Sequence, residues 1–161
     1  MNGKEFGKKY GNKYRRKIPK WIEMGYLGDA TKDPRTGEFS IPDDIPLPFS
    51  GHSNITQLPT LWNEILKAAS QNCSIFPAMY PKLPEGCLER QITGFVESGV
   101  ISIQQTENHY QYLELRPNGM RLMRELTETE KKDVWNRVLK KINTGWTLAQ
   151  AIASFIGALM G

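Results

Sequence analysis

The stretch VISIQQTENHYQYLEL, Val100 to Leu115, restricts the fold more than any other part of the chain. VISIQQ and YQYLEL each alternate apolar and polar residues, the two-residue period of a half-buried strand. The polar TENH between them supplies a turn. The segment predicts one small β-hairpin, and helical patterns lie on both sides of it.

Upstream, LPEGCLERQITGFVESG places Leu88, Ile92, Phe95 and Val96 on one helical face and stops at Gly99. Downstream, RPNGMRLMREL returns to helical spacing through Met120, Met123 and Leu126, with Pro117 preset for a first turn. Earlier still, TQLPTLWNEILKAASQN sets Leu58, Leu61, Ile65 and Ala68 at helical spacing, with Thr60 as the expected N-cap. CSIF, which follows it, reads as a short strand. The order over residues 54–127 is therefore helix, short strand, helix, hairpin, helix. The fold class expected is mainly α with a small β-hairpin, an α+β arrangement.

Two flanking segments complete the chain. Residues 1–53 are an N-terminal basic and proline-rich arm. Gly3, Gly7 and Gly11 weaken any helix in its first half, each by about 1 kcal/mol relative to Ala. PKWIEMG, from Pro19 to Gly25, reads as one short helix, and residues 28–53 read as irregular with a turn at DPRTGE. Ile41, Ile45, Leu47 and Phe49 favour an arm packed across a surface over a free linker.

Residues 128–161 are a helical tail. Thr127 and Glu130 form a capping-box pattern for a helix through Val134, Trp135, Val138, Leu139 and Ile142, and Asn143-Thr144-Gly145 permits a break. Beyond Lys141 there is no charge. There Leu148, Ile152, Phe155 and Leu159 share one face, beside the small residues Gly145, Ala149, Ala153, Gly157 and Gly161, which recur at every fourth position. Such spacing lets helix backbones approach closely. Self-association through Leu148, Ala149, Ile152, Ala153, Phe155, Gly157 and Leu159 is the expectation. Membrane association through residues 142–161, about 30 Å if wholly helical, is the alternative, and intrachain packing comes third.

The text LERQITGFVESGVISI…YQYLELRPNGMRLMREL, with its Glu97-Ser98-Gly99-Val100 and Leu115-Arg116-Pro117-Asn118-Gly119 phrases, resembles the winged helix-turn-helix domains of MarR- and PadR-type bacterial repressors. The resemblance covers residues 54–127, and the chain departs from it in three places. FPAMYPKLP, with Pro77, Pro81 and Pro84, stands where a second helix is expected; Arg116 replaces the usual Thr cap; and charge is unlike the family's. The resemblance implies duplex DNA as partner, a recognition helix over 85–98 and a wing over 100–115. Carried over by position, Cys87, Glu89, Arg90, Gln91 and Thr93 occupy the recognition helix, of which Arg90, Gln91 and Thr93 are the candidate DNA contacts.

Charge complicates that expectation. Residues 1–20 hold six Lys and two Arg against Glu5 alone, a net of +7, so the remaining 141 residues sum to −3. Residues 54–127 alone hold six Lys and Arg against seven Asp and Glu. Phosphate contacts supply most of the non-specific affinity of DNA-binding proteins. Lys8, Lys9, Lys13, Arg15, Arg16 and Lys17 of the arm therefore join the expected DNA-binding set, with the arm's Tyr and Trp rings available for stacking on bases.

Cys73 and Cys87 lack metal-ligand spacing, His52 and His109 lie far apart in sequence, and no phosphate loop, nucleophile elbow, HExxH or dinucleotide fingerprint occurs. No cofactor, metal or enzymatic role is expected. The N-terminus has no apolar stretch of signal-peptide type, so a cytoplasmic location is expected. The expected function is a self-associating, non-enzymatic DNA-binding regulator. The competing expectation is a winged-helix protein-interaction subunit of a larger assembly that does not read DNA.

Overall fold

In a computed structural model the backbone is described for residues 1–160 and side-chain surroundings for residues 1–157. Among the described residues, seven α-helices and two two-stranded antiparallel sheets build a mixed α+β fold. The hairpin falls where alternation places it: β3 (Ile101–Gln105) pairs antiparallel with β4 (Gln111–Leu115), from Ile101 opposite Leu115 to Gln105 opposite Gln111. Ile101, Leu113 and Leu115 turn inward, as the two-residue period requires.

Around it stand α3 (Leu58–Ser70), α4 (Cys87–Glu97) and α5 (Pro117–Arg124). CSIF is extended but pairs through few residues. Ser74 bridges Pro48 in parallel, while Cys73 O accepts from Leu113 N at 3.0 Å, so this segment lies between the arm and β4. The proline-rich stretch forms only a 3-10 turn at Pro77–Met79. Gly99, at φ +75°, turns the chain out of α4 into the hairpin.

Several expectations need correction. α3 begins at Leu58 with Pro59 in its first turn, so Thr60 lies inside the helix and caps nothing. On α4 the inward residues are Cys87, Leu88, Gly94 and Phe95, whereas Val96 is exposed; the stripe is rotated toward Gly94 because another helix covers that side. On α5, Gly119 and Leu122 are buried and Met120 is exposed.

The arm is ordered and mostly helical. α1 (Gly3–Tyr10) forms despite its glycines because Asn2 and Glu5 close a reciprocal capping box and Phe6 is fully buried. A 3-10 stretch, Asn12–Lys17, leads to α2 (Ile18–Glu23), which carries Pro19 in its first turn. The segment read as irregular contains β1 (Thr31–Lys32) and β2 (Phe39–Ser40), paired across the DPRTGE turn. Ile41, Ile45 and Phe49 are buried and Leu47 is partly so. One continuous apolar cluster runs from Phe6 to Ile156, joining arm, middle and tail.

α6 (Glu128–Asn143) starts on the Thr127–Glu130 capping box. After the break, Thr147 and Gln150 bond reciprocally and open α7 (Leu148–Met160). α7 packs on α4 and α6 of the same chain, burying Ala151, Ile152 and Ile156, with Leu148 and Phe155 against the core. Intrachain packing, the third expectation, is thus what the apolar face of the tail does. Leu148, Ile152 and Phe155 are occupied within the chain, Ala149 is half-buried, and Ala153 and Gly157 face solvent. The side chain of Leu159 and the residue Gly161 lie outside the described residues. The break also shortens the tail helix to 13 residues, about 20 Å at 1.5 Å each. No described helix is long and apolar enough to cross a membrane.

Candidate nucleic-acid interface

Binding a polyanion requires cations held where phosphates can reach them, and reading bases requires side chains free to leave the protein surface. The first requirement is met by the arm. Lys4, Lys8, Lys9, Lys13, Arg15, Arg16, Lys17 and Lys20 are all exposed, and none pairs with a carboxylate among the described residues. They sit on α1, the 3-10 stretch and α2, so the cluster has a fixed shape.

Its contacts orient it further. Lys9 Nζ donates to Asp43 O at 2.7 Å and Lys17 Nζ to Ser50 Oγ at 2.8 Å, neutral acceptors that leave both charges uncompensated. Lys13 and Lys17 stand 5.0 and 5.8 Å from the Tyr14 ring. Together with Lys67 of α3, they line a recess of about 300 Å³ beside Ser50 and Gln71. Lys4, Arg15 and Arg16 line a second recess of about 490 Å³ near Asn2 and Phe39. Lys67 was not legible as a site residue, because it sits on another helix with nothing in its own surroundings to mark it.

The rings of the arm are less available than the sequence suggests. Trp21 and Tyr26 are buried, and Tyr10 donates its hydroxyl to Ile45 O at 2.5 Å. Tyr14 stacks on Trp21, with ring centroids 6.1 Å apart. These aromatics hold the arm to the body, with Trp21 buried and Tyr26 set in the wall of an internal recess.

The second requirement is met in part. On α4, Arg90 and Thr93 are exposed, and Arg90 Nη1 makes only a long 3.3 Å contact with Glu85 O. Gln91 is half-buried, and its Oε1 accepts from the indole N–H of the fully buried Trp62 at 2.8 Å. Gln91 spends one lone pair of its amide oxygen inside the protein, and swinging the side chain outward to adenine would leave the Trp62 N–H unpaired. Cys87 is buried as well. Glu89 and Glu97 flank Arg90 on the exposed side of the helix.

The hairpin tip is held by acids. Asp44 accepts from Asn108 N at 2.9 Å and from Asn108 Nδ2 at 3.2 Å, and these bonds hold its carboxyl below the usual range. Asp29 accepts from the Tyr110 hydroxyl at 2.8 Å, which raises the pKa of the phenol. Arm and hairpin are joined at this point, and the join brings negative charge to the tip.

A separate polar cluster escaped sequence reading. Glu64, buried on α3, accepts from Tyr80 Oη at 2.6 Å and is bonded to His52 Nδ1. Burial, with Glu64 beside it, pushes the Tyr80 hydroxyl far up. The three residues come from three distant segments, so no motif announces them. Their arrangement satisfies a buried carboxylate and ties the 50–53 loop and the 77–84 stretch to α3.

Compared with family models, with curated proteins and with solved structures, the chain finds no match.

Proposed function

We propose that this chain is a winged-helix nucleic-acid-binding protein, acting on duplex DNA as a regulator, whose main phosphate contacts come from the arm and not from the hairpin. The observation that carries the reading is the set of eight exposed arm cations without carboxylate partners among the described residues. The winged-helix assignment is supported by the order of α3, strand-like bridge, 3-10 turn, α4, hairpin and α5, and by the Leu113–Cys73 bond that adds a third segment to the hairpin. In this reading Lys13, Arg15, Arg16, Lys17 and Lys67 meet phosphates, while Arg90 and Thr93 reach base edges. The test is fluorescence anisotropy of a labelled duplex at two salt concentrations. Affinity falling steeply with salt supports the reading, and absence of binding at low salt removes it.

A second reading, a protein-interaction subunit, is favoured by one observation: Asp29, Asp44, Glu89 and Glu97 make the α4–hairpin side acidic. Under it the same face meets a basic protein surface and the chain does not read DNA; charge reversal at Asp44 and Glu89 abolishes capture of that partner.

A further inference from the structure

Between α4, the β3–β4 hairpin and the arm lies a cavity of about 520 Å³, within the size range of small-molecule sites. Ile92 and Thr93 of α4 form one wall, Ile103 and Tyr110 of the hairpin another, and Tyr26 with Ile45 of the arm a third. Tyr26 stacks on Phe76 at 4.5 Å, a flat aromatic surface bordering the cavity. Ile103 keeps 45% of its surface exposed, although Ile101 two residues before it and Leu113 opposite it are buried, so the hairpin is unfilled at this position.

In the wall sits Ser74, 6% exposed, whose Oγ has no hydrogen-bond partner among the described residues. Its backbone is fully used, with N donating to Leu47 O and O accepting from Phe49 N. Strand alternation sends Cys73 to the recess beside Lys13 and Ser74 to the opposite side, where it lines this cavity and a contiguous chamber of about 80 Å³. A buried hydroxyl without a partner is costly, and native proteins rarely retain one without a use. Among the described lining residues Glu89 is the one carboxylate and His109 the one imidazole; no Lys or Arg is among them.

We propose that this cavity binds an uncharged, planar aromatic small molecule with one hydrogen-bonding group directed at Ser74 Oγ. The apolar walls and the Tyr26–Phe76 surface take the ring, the hydroxyl fixes its orientation, and Glu89 at the rim disfavours carboxylates. No arm cation takes part, but Thr93 is shared with the proposed recognition face, so indole binding and duplex binding are measured separately and either can fail without the other.

The probe is indole, titrated into ¹⁵N- and methyl-labelled full-length protein, with indole-3-acetate as the charged comparison. The expected result is saturable shifts centred on Ser74, Ile92, Ile103 and Tyr110, with weaker binding of the anion. Ser74→Ala is expected to weaken indole about fivefold, the effect of one hydrogen bond, while raising the melting temperature of the free protein by removing an unsatisfied group. Should Ile92→Trp, chosen to fill the cavity, fail to fold, Thr93→Trp at the same wall replaces it, and abolished binding is expected. Absence of saturable shifts at these residues, or equal indole affinity in Ser74→Ala, overturns the proposal.

Discussion

Leu148 of α7 stands over Gly94 of α4, so close that a Cβ at residue 94 would lie 2.7 Å from Leu148 Cδ2. The bare backbone at Gly94 is the seat of the tail helix. Gly94→Val therefore forces the tail away, and a loss of about 1–3 kcal/mol is expected, as for other overpacked sites. Urea unfolding measures it, and limited proteolysis within residues 145–160 reports the release. Adding Leu148→Ala should recover part of the loss, the coupling expected of two residues in contact.

Gln91→Ala separates a structural role from a reading role. It leaves the Trp62 indole N–H buried without its acceptor, so stability should fall by about 1–3 kcal/mol. Affinity for duplex DNA, measured where the variant is fully folded, should be unchanged. A large loss of affinity with normal stability would make Gln91 a base contact.

Among the described residues nothing lies within 4 Å of where a Cβ at Gly157 would stand, so Gly157→Leu is expected to keep or slightly raise stability, given the helix propensities. If Ala153 and Gly157 form the contact between copies of the chain, sedimentation will show the variant shifted to the smaller species. Identical sedimentation for both proteins removes that face from any self-association.

Alkaline pH should weaken the fold. Burial pushes the Cys73 thiol from 9.0 up to about 11 and raises the Tyr80 hydroxyl as well. The folded chain thus holds these protons more tightly than the unfolded one, and unfolding releases them. The contribution of the thiol is complete below about pH 9 and is lost as pH climbs toward 11, and that of the Tyr80 hydroxyl begins to fade only above its ordinary value of 10.0. Melting temperatures measured across that window should fall, and Cys73→Ala should flatten the slope.

The hairpin was legible because alternation at Val100–Leu115 is a short-range signal, and Gly99 marks the preceding helix end. The capping box at Thr127–Glu130 was equally local. α1 was hidden because its glycines lower intrinsic propensity, whereas its stability comes from the Asn2–Glu5 box and from Phe6 burying against the rest of the arm. At Gly7 the Arg15 side chain lies across the position a Cβ would take, so a side chain there would have to push Arg15 aside. The partner of α7 was equally hidden, because Gly94 reads in sequence as a weak point in a helix and not as a docking surface. The exposed cluster of arm cations was readable from charge alone. The bond of Gln91 to Trp62, Lys67 beside Lys13, and Asp44 at the hairpin tip arise from tertiary pairings between distant segments.

The central claim, that the arm supplies the phosphate contacts, is tested most directly by the salt dependence of duplex binding. Anisotropy titrations over a salt series should compare the parent chain with a variant carrying Lys13→Gln, Arg15→Gln, Arg16→Gln and Lys17→Gln. Each lost phosphate contact lowers the slope of log K against log salt by about 0.9, so the variant should be shallower by about 3 to 4. A variant that binds with the parent's affinity and slope would contradict the account.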